Sequence, residues 1–315
     1  MKGNETDGNS SVVQLCQSKS AVYNSHADRL LNVFFEAVMK LANAKTVCLM
    51  IVALSLTGSQ ALPMVIFNDG QVHDVNYIID DFVSVDGAPG MRTTVNLLDG
   101  GRIVWYLMVY NDAIVNILGG SAQVLGAHQN SLVKMSGDSI DTSFSSMHNS
   151  RAIISGGSIG NQLRAGGSRV DLSGGSIGQE LIAWSTAVLT IHGWNFAVDG
   201  YPLGYCALTS IYGGSWGEEP DRRLTGTLAC GGPINNVFWI ADDSVILLAP
   251  PGDIDNDGDV DFGDLSILAR QWRQPGGDYP SADIAPCVGD GIVDFLDLSV
   301  LCRYWLEGAV SPTTI

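Results

Sequence analysis

Glycine recurs at near-constant spacing through the middle of the chain. Two units are almost the same: residues 152–160 read Ala-Ile-Ile-Ser-Gly-Gly-Ser-Ile-Gly, and residues 170–178 read Val-Asp-Leu-Ser-Gly-Gly-Ser-Ile-Gly. A repeat this short cannot hold a pair of helices, but it fits one coil of a β-solenoid with glycine turns between short strands. The recurring positions, 18 to 20 residues apart, are Gly100, Gly119, Gly137, Gly156, Gly174, Gly193 and Gly213.

Alternation within the repeat predicts which side chains face inward. Val170 and Leu172 are expected in the core, and Arg169, Asp171 and Ser173 outside. A β-sandwich with similar hairpins is the alternative, but it does not predict so constant a period. The predicted fold class is therefore mainly β, a single-stranded β-solenoid with 18–19-residue coils. Three asparagines 19 residues apart predict one shared corner of the coils: Asn111, Asn130 and Asn149.

The repeat resembles the Gly-Gly-Ser-Ile-Gly coils of autotransporter-like passenger β-helices, which also occur in secreted proteins of planctomycete-type bacteria. The resemblance covers about 95–191 and implies solenoid repeats over 95–192. Residues 62–94 are expected to form an irregular N-terminal cap. The period breaks at 193–249, which resembles the closing segment of those proteins and is expected to be a C-terminal β cap that covers an open strand edge. A linker, 250–252, follows.

Residues 39–61 have the order of a secretory signal peptide. Lys40 and Lys45 supply positive charge, 47–56 the apolar run, and Ser59 and Ala61 the small residues before cleavage. The alternative is a membrane anchor, but a span needs about 20 apolar residues, roughly twice this run. We therefore expect a secreted, extracellular or cell-surface protein without a membrane span.

The segment 1–38 precedes this complete signal. The expectation is that the chain starts at Met39 and that 1–38 comes from a start codon assigned too early; a long n-region is the alternative.

The charge balance excludes one class of partner. The chain has 33 acidic and 16 basic residues and a net charge of −17. Twelve of the acids but only three of the bases lie in 253–307. Such a segment repels nucleic-acid phosphates and attracts hard cations, so we expect no nucleic acid partner.

Residues 253–264 read Asp-Ile-Asp-Asn-Asp-Gly-Asp-Val-Asp-Phe-Gly-Asp. Calcium takes six to eight oxygen ligands, and this spacing wraps them around one ion, with Gly258 at the sharp turn. A solvated acidic loop is the alternative, disfavoured because a helix-like stretch, 265–272, follows. The predicted ligands are the side chains of Asp253, Asp255, Asp257 and Asp264, the backbone carbonyl of Asp259, and a water held by Asp261.

A second copy follows 33 residues later. Val260–Trp272 aligns with Val293–Trp305 without a gap, and nine of the thirteen positions are identical. Simple counting places Pro286 and Val288, which lack carboxylates, at loop positions 1 and 3. Asp283 can serve if the loop is longer, so we expect two Ca²⁺ sites, the second weaker or differently shaped. Its predicted ligands are Asp283, Asp290, the backbone of Ile292, Asp294 and Asp297.

These two loop–helix units resemble a type I dockerin over the whole of 253–307, followed by a tail, 308–315. The resemblance implies a small, all-α calcium domain that docks onto a cohesin-type scaffold. Dockerins often carry a polar pair at loop positions 10 and 11. This chain has Phe262-Gly263 and Phe295-Leu296 there, and the alternative is that these apolar residues pack into the module's own core. The implied partner-binding residues are Phe262, Gly263, Phe295, Leu296, Arg270 and Arg303.

Four cysteines follow the predicted cleavage site, and their spacing does not suggest zinc. In an oxidising compartment, Cys206–Cys230 and Cys287–Cys302 are plausible disulfides, each within one domain. Four free thiols are the alternative.

Little in the solenoid indicates catalysis. A hydrolase needs two carboxylates in one cleft, and Asp138 and Asp141 are the candidates; ordinary surface residues are the favoured interpretation. The basic candidates for a lyase are Arg151, Arg164 and Arg169. The histidines His73, His128, His148 and His192 lack ligand spacing, and Trp105, Tyr106, Trp184 and Trp194 can be either a stacking strip for sugar rings or core and cap residues.

Two functions are consistent with these features. In the first, a non-catalytic solenoid, acting as spacer, adhesin or glycan-binding face, is attached to a scaffold through the calcium module. In the second, a polysaccharide hydrolase or lyase is tethered the same way. The first is favoured because no sequence feature requires catalysis.

Overall fold

The computed structural model describes residues 64–87, 90–210, 222–275, 280–287 and 289–308. The segment 1–38 and the signal peptide predicted at 39–61 lie outside the described residues, as does nearly all of the tail. Within the described ranges, no helix has both the length and the apolar character needed to cross a membrane.

The described chain is mainly β, with two short helices. The helices are α1 (Phe262–Gln271) and α2 (Phe295–Arg303). The strands are β1 (Met64–Phe67), β2 (Val72–Val75), β3 (Ile78–Ile79), β4 (Phe82–Asp86), β5 (Thr94–Leu97), β6 (Arg102–Tyr110), β7 (Ile114–Ile117), β8 (Ser121–Ala127), β9 (Leu132–Met135), β10 (Ser139–Met147), β11 (Arg151–Ile154), β12 (Ser158–Ile159), β13 (Gln162–Gly166), β14 (Arg169–Leu172), β15 (Ser176–Ile177), β16 (Glu180–Trp184), β17 (Val188–Val198), β18 (Tyr201–Pro202), β19 (Cys206–Leu208), β20 (Arg223–Leu228), β21 (Pro233–Ile240) and β22 (Val245–Ala249).

The strands stack into a β-solenoid of about seven turns of about 19 residues. One parallel sheet runs β1–β4–β6–β8–β10–β13–β16–β21. The second parallel sheet runs β2–β5–β7–β9–β11–β14–β17–β22. The solenoid predicted from the glycine period is confirmed.

Equivalent residues of successive coils stack into rows that fill the interior. Val133, Ala152, Val170 and Leu189 are paired in register in the second sheet, and all four are buried. Leu172 is buried as predicted, whereas Arg169 is exposed and Asp171 and Ser173 are half-buried. Because a coil buries little apolar surface alone, the stack as a whole provides the core.

The two glycines of each doublet have different roles. Gly157 and Gly175 adopt positive φ angles of 79° and 86°, which a residue with a side chain rarely adopts. Their predecessors, Gly156 and Gly174, allow two coils to approach closely: a Cβ on Gly174 would lie 2.2 Å from the carbonyl oxygen of Ser155. The doublet thus combines a turn with tight stacking.

The predicted asparagine corner is also present. Asn111, Asn130 and Asn149 have φ angles of 54°, 64° and 64°, in the left-handed region that asparagine tolerates. The Asn149 amide donates to the Asn130 side-chain oxygen one coil away. The spacing of the repeat therefore predicts the position of the asparagine turns as well as the buried residues.

The regular coils begin earlier than predicted. β1, β2 and β3 pair in parallel with β4, β5 and β6. The irregular cap expected over 62–94 therefore needs correcting, because Val83 and Val85 already point inward in register with the next coil.

At the other end, 193–249 contains the antiparallel strands β18, β19 and β20, and then β21 and β22, which return to the two parallel sheets. The expected linker residues Pro250, Pro251 and Gly252 are buried. The chain therefore passes from β22 into the C-terminal residues without an exposed spacer.

After the linker come two loops, each leading into one of the helices. Both helices start with a capping box, in which Asp261 or Asp294 caps the first turn and Asp264 or Asp297 bonds back to the cap. A small apolar core joins the two units: Ile254, Val260, Ile267, Leu268, Ala282, Val293 and Leu301.

Candidate metal centre and docking surface

Three carboxylates of the first loop converge. Ligand oxygens of Asp253, Asp255 and Asp257 all lie within 4.8 Å of one another. Asp253 is only 2% exposed; its Oδ2 accepts from the N–H of Gly258 at 3.0 Å, but its Oδ1 is buried without a hydrogen-bond partner. A buried carboxylate oxygen without a partner is costly, and a bound cation would satisfy it.

The electrostatics of the loop also favour a cation. Burial, followed by repulsion from Asp264, raises the pKa of Asp253 to about 8. Burial and the same neighbour raise the pKa of Asp255 to about 6. A divalent cation among these groups would stabilise the charged carboxylates that burial and repulsion disfavour.

Asp264 organises the backbone of the first loop. Its Oδ1 accepts from the N–H groups of Ile254 and Asp255 at 2.5 and 3.1 Å, and its Oδ2 accepts from Asp261 at 2.8 Å. Asp264 is fully buried. Asp259 is exposed and forms a backbone bridge with Gly308.

The second loop repeats this pattern around Asp283. The oxygens of Asp283 accept from the N–H groups of Asp290 and Gly291, both at 3.0 Å. Asp297 accepts from Ile284 and Ala285 at 2.6 and 2.8 Å, as Asp264 does in the first loop. Asp283 therefore occupies loop position 1, in a loop three residues longer than the first, and simple counting from Pro286 is wrong.

The second loop has fewer carboxylates at ligand positions. Position 3 is Ala285, and no group of three converging ligands is found there among the described residues. Asp290 and Asp294 accept from the N–H groups of Ile292 and Leu296. Burial raises the pKa of Asp283. The loop thus has the fold of the first with a poorer ligand set.

The two phenylalanines that begin helices α1 and α2 are on the surface. Phe262 is 73% exposed and Phe295 69% exposed. Phe262 meets Trp305 edge-on, with centroids 5.2 Å apart, and Phe295 meets Trp272 edge-on at 5.0 Å. Because the rings keep most of their area in solvent, the alternative that the apolar pair packs into the module's core is wrong.

The other predicted docking residues flank these rings. Leu296 is half exposed, and the Arg270 guanidinium donates to the Ser266 carbonyl at 3.1 Å. Arg303 is exposed and lies over the Tyr304 ring, 5.5 Å from its centroid. Gly263 is half-buried.

The cysteine pairing differs from both predicted disulfides. Cys230, in the turn after β20, is bonded to Cys287, with Cα atoms 5.2 Å apart. Cys206 and Cys302 are free. Pairing within one domain is wrong because the longer second loop places Cys287 against the solenoid, with its sulfur 4.0 Å from the Ser155 carbonyl oxygen.

Further contacts join 253–307, called the calcium-loop region after the ion that its sequence predicts, to the solenoid. The Tyr205 hydroxyl donates to Glu307 at 3.2 Å, and the His192 ring lies 3.5 Å from the Pro250 carbonyl. Burial lowers the pKa of His192 to about 4, so this ring is neutral. A cavity of about 490 Å³ separates the two parts, lined by residues that include Asp171, Trp194, Asp253, Asp283 and Tyr304.

The solenoid residues considered as candidates for catalysis or sugar stacking make ordinary surface contacts. Asp141 pairs with Arg102 at 3.0 Å, and no contact joins it to Asp138 among the described residues. Trp105 and Tyr106 both stack on Phe82, which places these rings in an aromatic ladder along the coils.

The remaining tryptophans cover a neighbouring coil or line the cavity, and three of the histidines contact other side chains. Trp184 covers Gly166 of the adjacent coil, and Trp194 lines the cavity. His73 bonds to Asp69 at 2.8 Å. His128 and His148 come together across two coils, at 3.3 Å, which a search for ligand spacing within single strands misses.

Comparison with protein-family models, with curated proteins and with solved structures found no match for this chain. The function of the chain is therefore inferred from the geometry of the two loops and of the solenoid.

Proposed function

We propose that this chain is a secreted or cell-surface calcium-binding protein in which a dockerin-like module, 253–307, attaches a non-catalytic β-solenoid to a cohesin-type scaffold. The solenoid acts as a spacer, adhesin or glycan-binding face. Two Ca²⁺ ions order the loops, the first bound more tightly than the second.

The observation that carries the proposal is the buried, unpartnered Oδ1 of Asp253 beside Asp255 and Asp257. Calcium prefers carboxylate oxygens, and the first loop offers them at the ligand positions of a calcium loop. The repetition of the same backbone hydrogen bonds by Asp297 supports two related units.

The exposed phenylalanines support a docking role. Phe262 and Phe295 present apolar rings on the surface of a strongly acidic module, held in place by Trp305 and Trp272. Exposed aromatic groups in fixed positions are typical anchors of protein interfaces. Arg270 and Arg303 offer charged contacts around them.

Calorimetric titration of the full chain with CaCl₂ tests the metal site. Asp253→Asn and Asp255→Asn are each expected to weaken the tighter binding event at least tenfold. Asp243→Asn, in an exposed turn, is the matched control. Unchanged binding in Asp253→Asn would contradict the calcium site.

Biolayer binding to a panel of purified cohesin domains, with and without calcium, tests docking. Phe262→Ala and Phe295→Ala should weaken any calcium-dependent binding while leaving calcium affinity unchanged. Failure of every cohesin to bind the calcium-loaded chain would contradict the scaffold partner and leave the metal site standing.

The cavity between the solenoid and the calcium loops favours a second candidate, a dockerin-tethered polysaccharide hydrolase or lyase. Asp171 of the solenoid and Asp283 of the second loop line the same cavity, which is large enough for a small ligand. Release of reducing ends from a polysaccharide panel tests both chemistries. Activity lost in Asp171→Asn but kept in Asp243→Asn would support this candidate over the first.

A further inference from the structure

Three aromatic rings stack along one corner of the solenoid, on successive coils. The Tyr110 and His128 rings have centroids 5.3 Å apart, and the His128 and His148 rings 5.5 Å apart. The Nδ1 atoms of the two histidines are only 3.3 Å apart. Among the described residues, neither imidazole hydrogen-bonds to any other group, whereas His73 is held by Asp69.

The backbone of the corner fixes the two histidines side by side. The N–H of His128 donates to the carbonyl of Val109 at 2.8 Å, and that of His148 to Gly166 at 2.9 Å. The N–H of Gln129 donates to the His148 carbonyl at 3.0 Å, joining the two histidine-bearing turns directly. The rings are therefore neighbours because of the coil stacking and not because of flexible side chains.

We propose that His128 and His148 form a binding site for a borderline divalent transition-metal ion, Cu²⁺ above all, with both Nδ1 atoms as ligands. Two nitrogens bound to Zn²⁺ at about 2.0–2.1 Å with a tetrahedral angle lie about 3.3 Å apart, which matches the observed separation. Two adjacent nitrogens of a tetragonal Cu²⁺ shell lie about 2.8 Å apart, so copper would draw the two rings about 0.5 Å closer together. Water completes the shell, since His148 is exposed and His128 half-buried.

The ligand chemistry separates this site from the calcium loops. Imidazole nitrogen suits copper, zinc and nickel, and copper binds most tightly among these divalent ions, whereas calcium takes oxygen ligands. In the metal-free pair, one Nδ1 must carry the hydrogen that the other accepts. On binding, that proton moves to the Nε2 of the same ring, so both Nδ1 lone pairs face the ion and no net proton is released.

The Nε2 of His128 has space for that proton. The missing side chain of Gly126 leaves room beside the ring: a Cβ there would lie 3.2 Å from His128 Nε2 and 2.8 Å from Met108 Sδ. Thioether sulfur is a weak hydrogen-bond acceptor. The tautomer that the metal requires is therefore compatible with the surroundings of the ring.

Titration of the full chain with CuCl₂ in excess CaCl₂ tests the proposal, because calcium occupies the acidic loops. One copper per chain is expected, with nitrogen hyperfine coupling in the electron paramagnetic resonance spectrum. His128→Gln and His148→Asn should each weaken binding at least tenfold. Asparagine suits position 148, where φ is 54°.

His73→Gln is the matched control, since His73 is a surface histidine already bonded to Asp69. Copper should also raise the melting temperature of the wild-type chain and of His73→Gln, but not that of His148→Asn. Wild-type copper affinity in either the His128 or the His148 variant, with the fold verified by circular dichroism, would overturn the proposal. That result would leave the calcium and docking proposals untouched.

Discussion

Asp264 and Asp297, 33 residues apart, make the same three hydrogen bonds in their respective loops. Each Oδ1 accepts from two consecutive backbone N–H groups near the start of its loop, and each Oδ2 accepts from the helix N-cap residue. Both side chains are fully buried. The last acid of each loop thus ties the loop entrance to its helix.

Asp264→Asn should destabilise the calcium-loop region by about 2 kcal/mol, because an amide offers only one acceptor atom and its NH₂ would face the N–H of Asp261. Urea unfolding in the presence of a chelator measures this without any metal contribution. Asp243→Asn, on the surface, should change stability by less than about 0.5 kcal/mol. Equal stability of the two variants would contradict the organising role of Asp264.

The pH dependence of stability should reverse sign with calcium. The folded pKa of Asp253, about 8, lies above the unfolded value of about 3.9, so the metal-free folded state holds a proton that the unfolded state has lost. Stability in a chelator should therefore rise as pH falls from about 8 towards 4. Calcium needs the carboxylate, so its stabilising effect should decline over the same range.

Thermal melts at pH 5 and pH 8, with calcium and with chelator, measure this reversal. Asp253→Asn, which cannot titrate at this position, should reduce the pH dependence in chelator, and the part that remains should come from Asp255, whose pKa is raised to about 6. A metal-free protein that is less stable at pH 5 than at pH 8 would show that the carboxylate cluster does not control the acid response.

Chelation should lower the stability of 253–307 and leave that of the solenoid unchanged. Among the described residues, the buried apolar cluster of the calcium-loop region has seven members, whereas the solenoid cluster runs through all its coils. Hydrogen exchange, read peptide by peptide with and without chelator, should show protection lost in both loops and helices and kept in β5–β16. Loss of the solenoid β signal in circular dichroism under the same chelator would contradict this expectation.

Removal of the Cys230–Cys287 disulfide should destabilise the calcium-loop region by about 2–4 kcal/mol, because the bond links residues 57 positions apart in the sequence. The double variant Cys230→Ser/Cys287→Ser, unfolded in urea, measures the loss, and reducing agent should have no further effect on it. Cys302→Ser, at an exposed free thiol, is the control. Equal midpoints for both variants would argue against the bond.

Gly174→Ala should destabilise the solenoid, since the new Cβ would lie 2.2 Å from the Ser155 carbonyl oxygen of the previous coil. Backbone cannot yield as a flexible side chain does, so a loss of about 2 kcal/mol is expected. Gly204→Ala has open space around the new methyl and should be nearly neutral. Thermal melts of the two variants compare them directly.

The solenoid could be predicted because its information is local and repeated. The inward Val170 and Leu172, the glycine doublets and the asparagine corner each recur at the coil period. A wrong assignment in one coil therefore does not change the assignment of the next coil. The N-terminal boundary was wrong because the earliest coils lack the glycine signature, although Val83 and Val85 keep the alternation.

The second loop of the candidate site was harder to predict than the first. The ligand spacing of Asp253, Asp255 and Asp257 is visible in the sequence, but the longer second loop hides the equivalence of Asp283 to Asp253. That equivalence is seen only in the structure, where the two carboxylates accept hydrogen bonds from corresponding backbone N–H groups. The Cys230–Cys287 bond depends on how two parts of the chain pack, which no local pattern encodes.

The residues that lengthen the second loop also determine how a mechanical force applied to 253–307 is transmitted to the solenoid. If a partner grips the phenylalanines, tension reaches the solenoid along two covalent routes: the main chain through Pro250 and the sulfur bridge at Cys230. The second route bypasses the segment between the bridged cysteines, which are 57 positions apart in the sequence. The region 253–307 and the solenoid would then respond to force as one rigid unit, because 253–307 could not rotate independently of the coils.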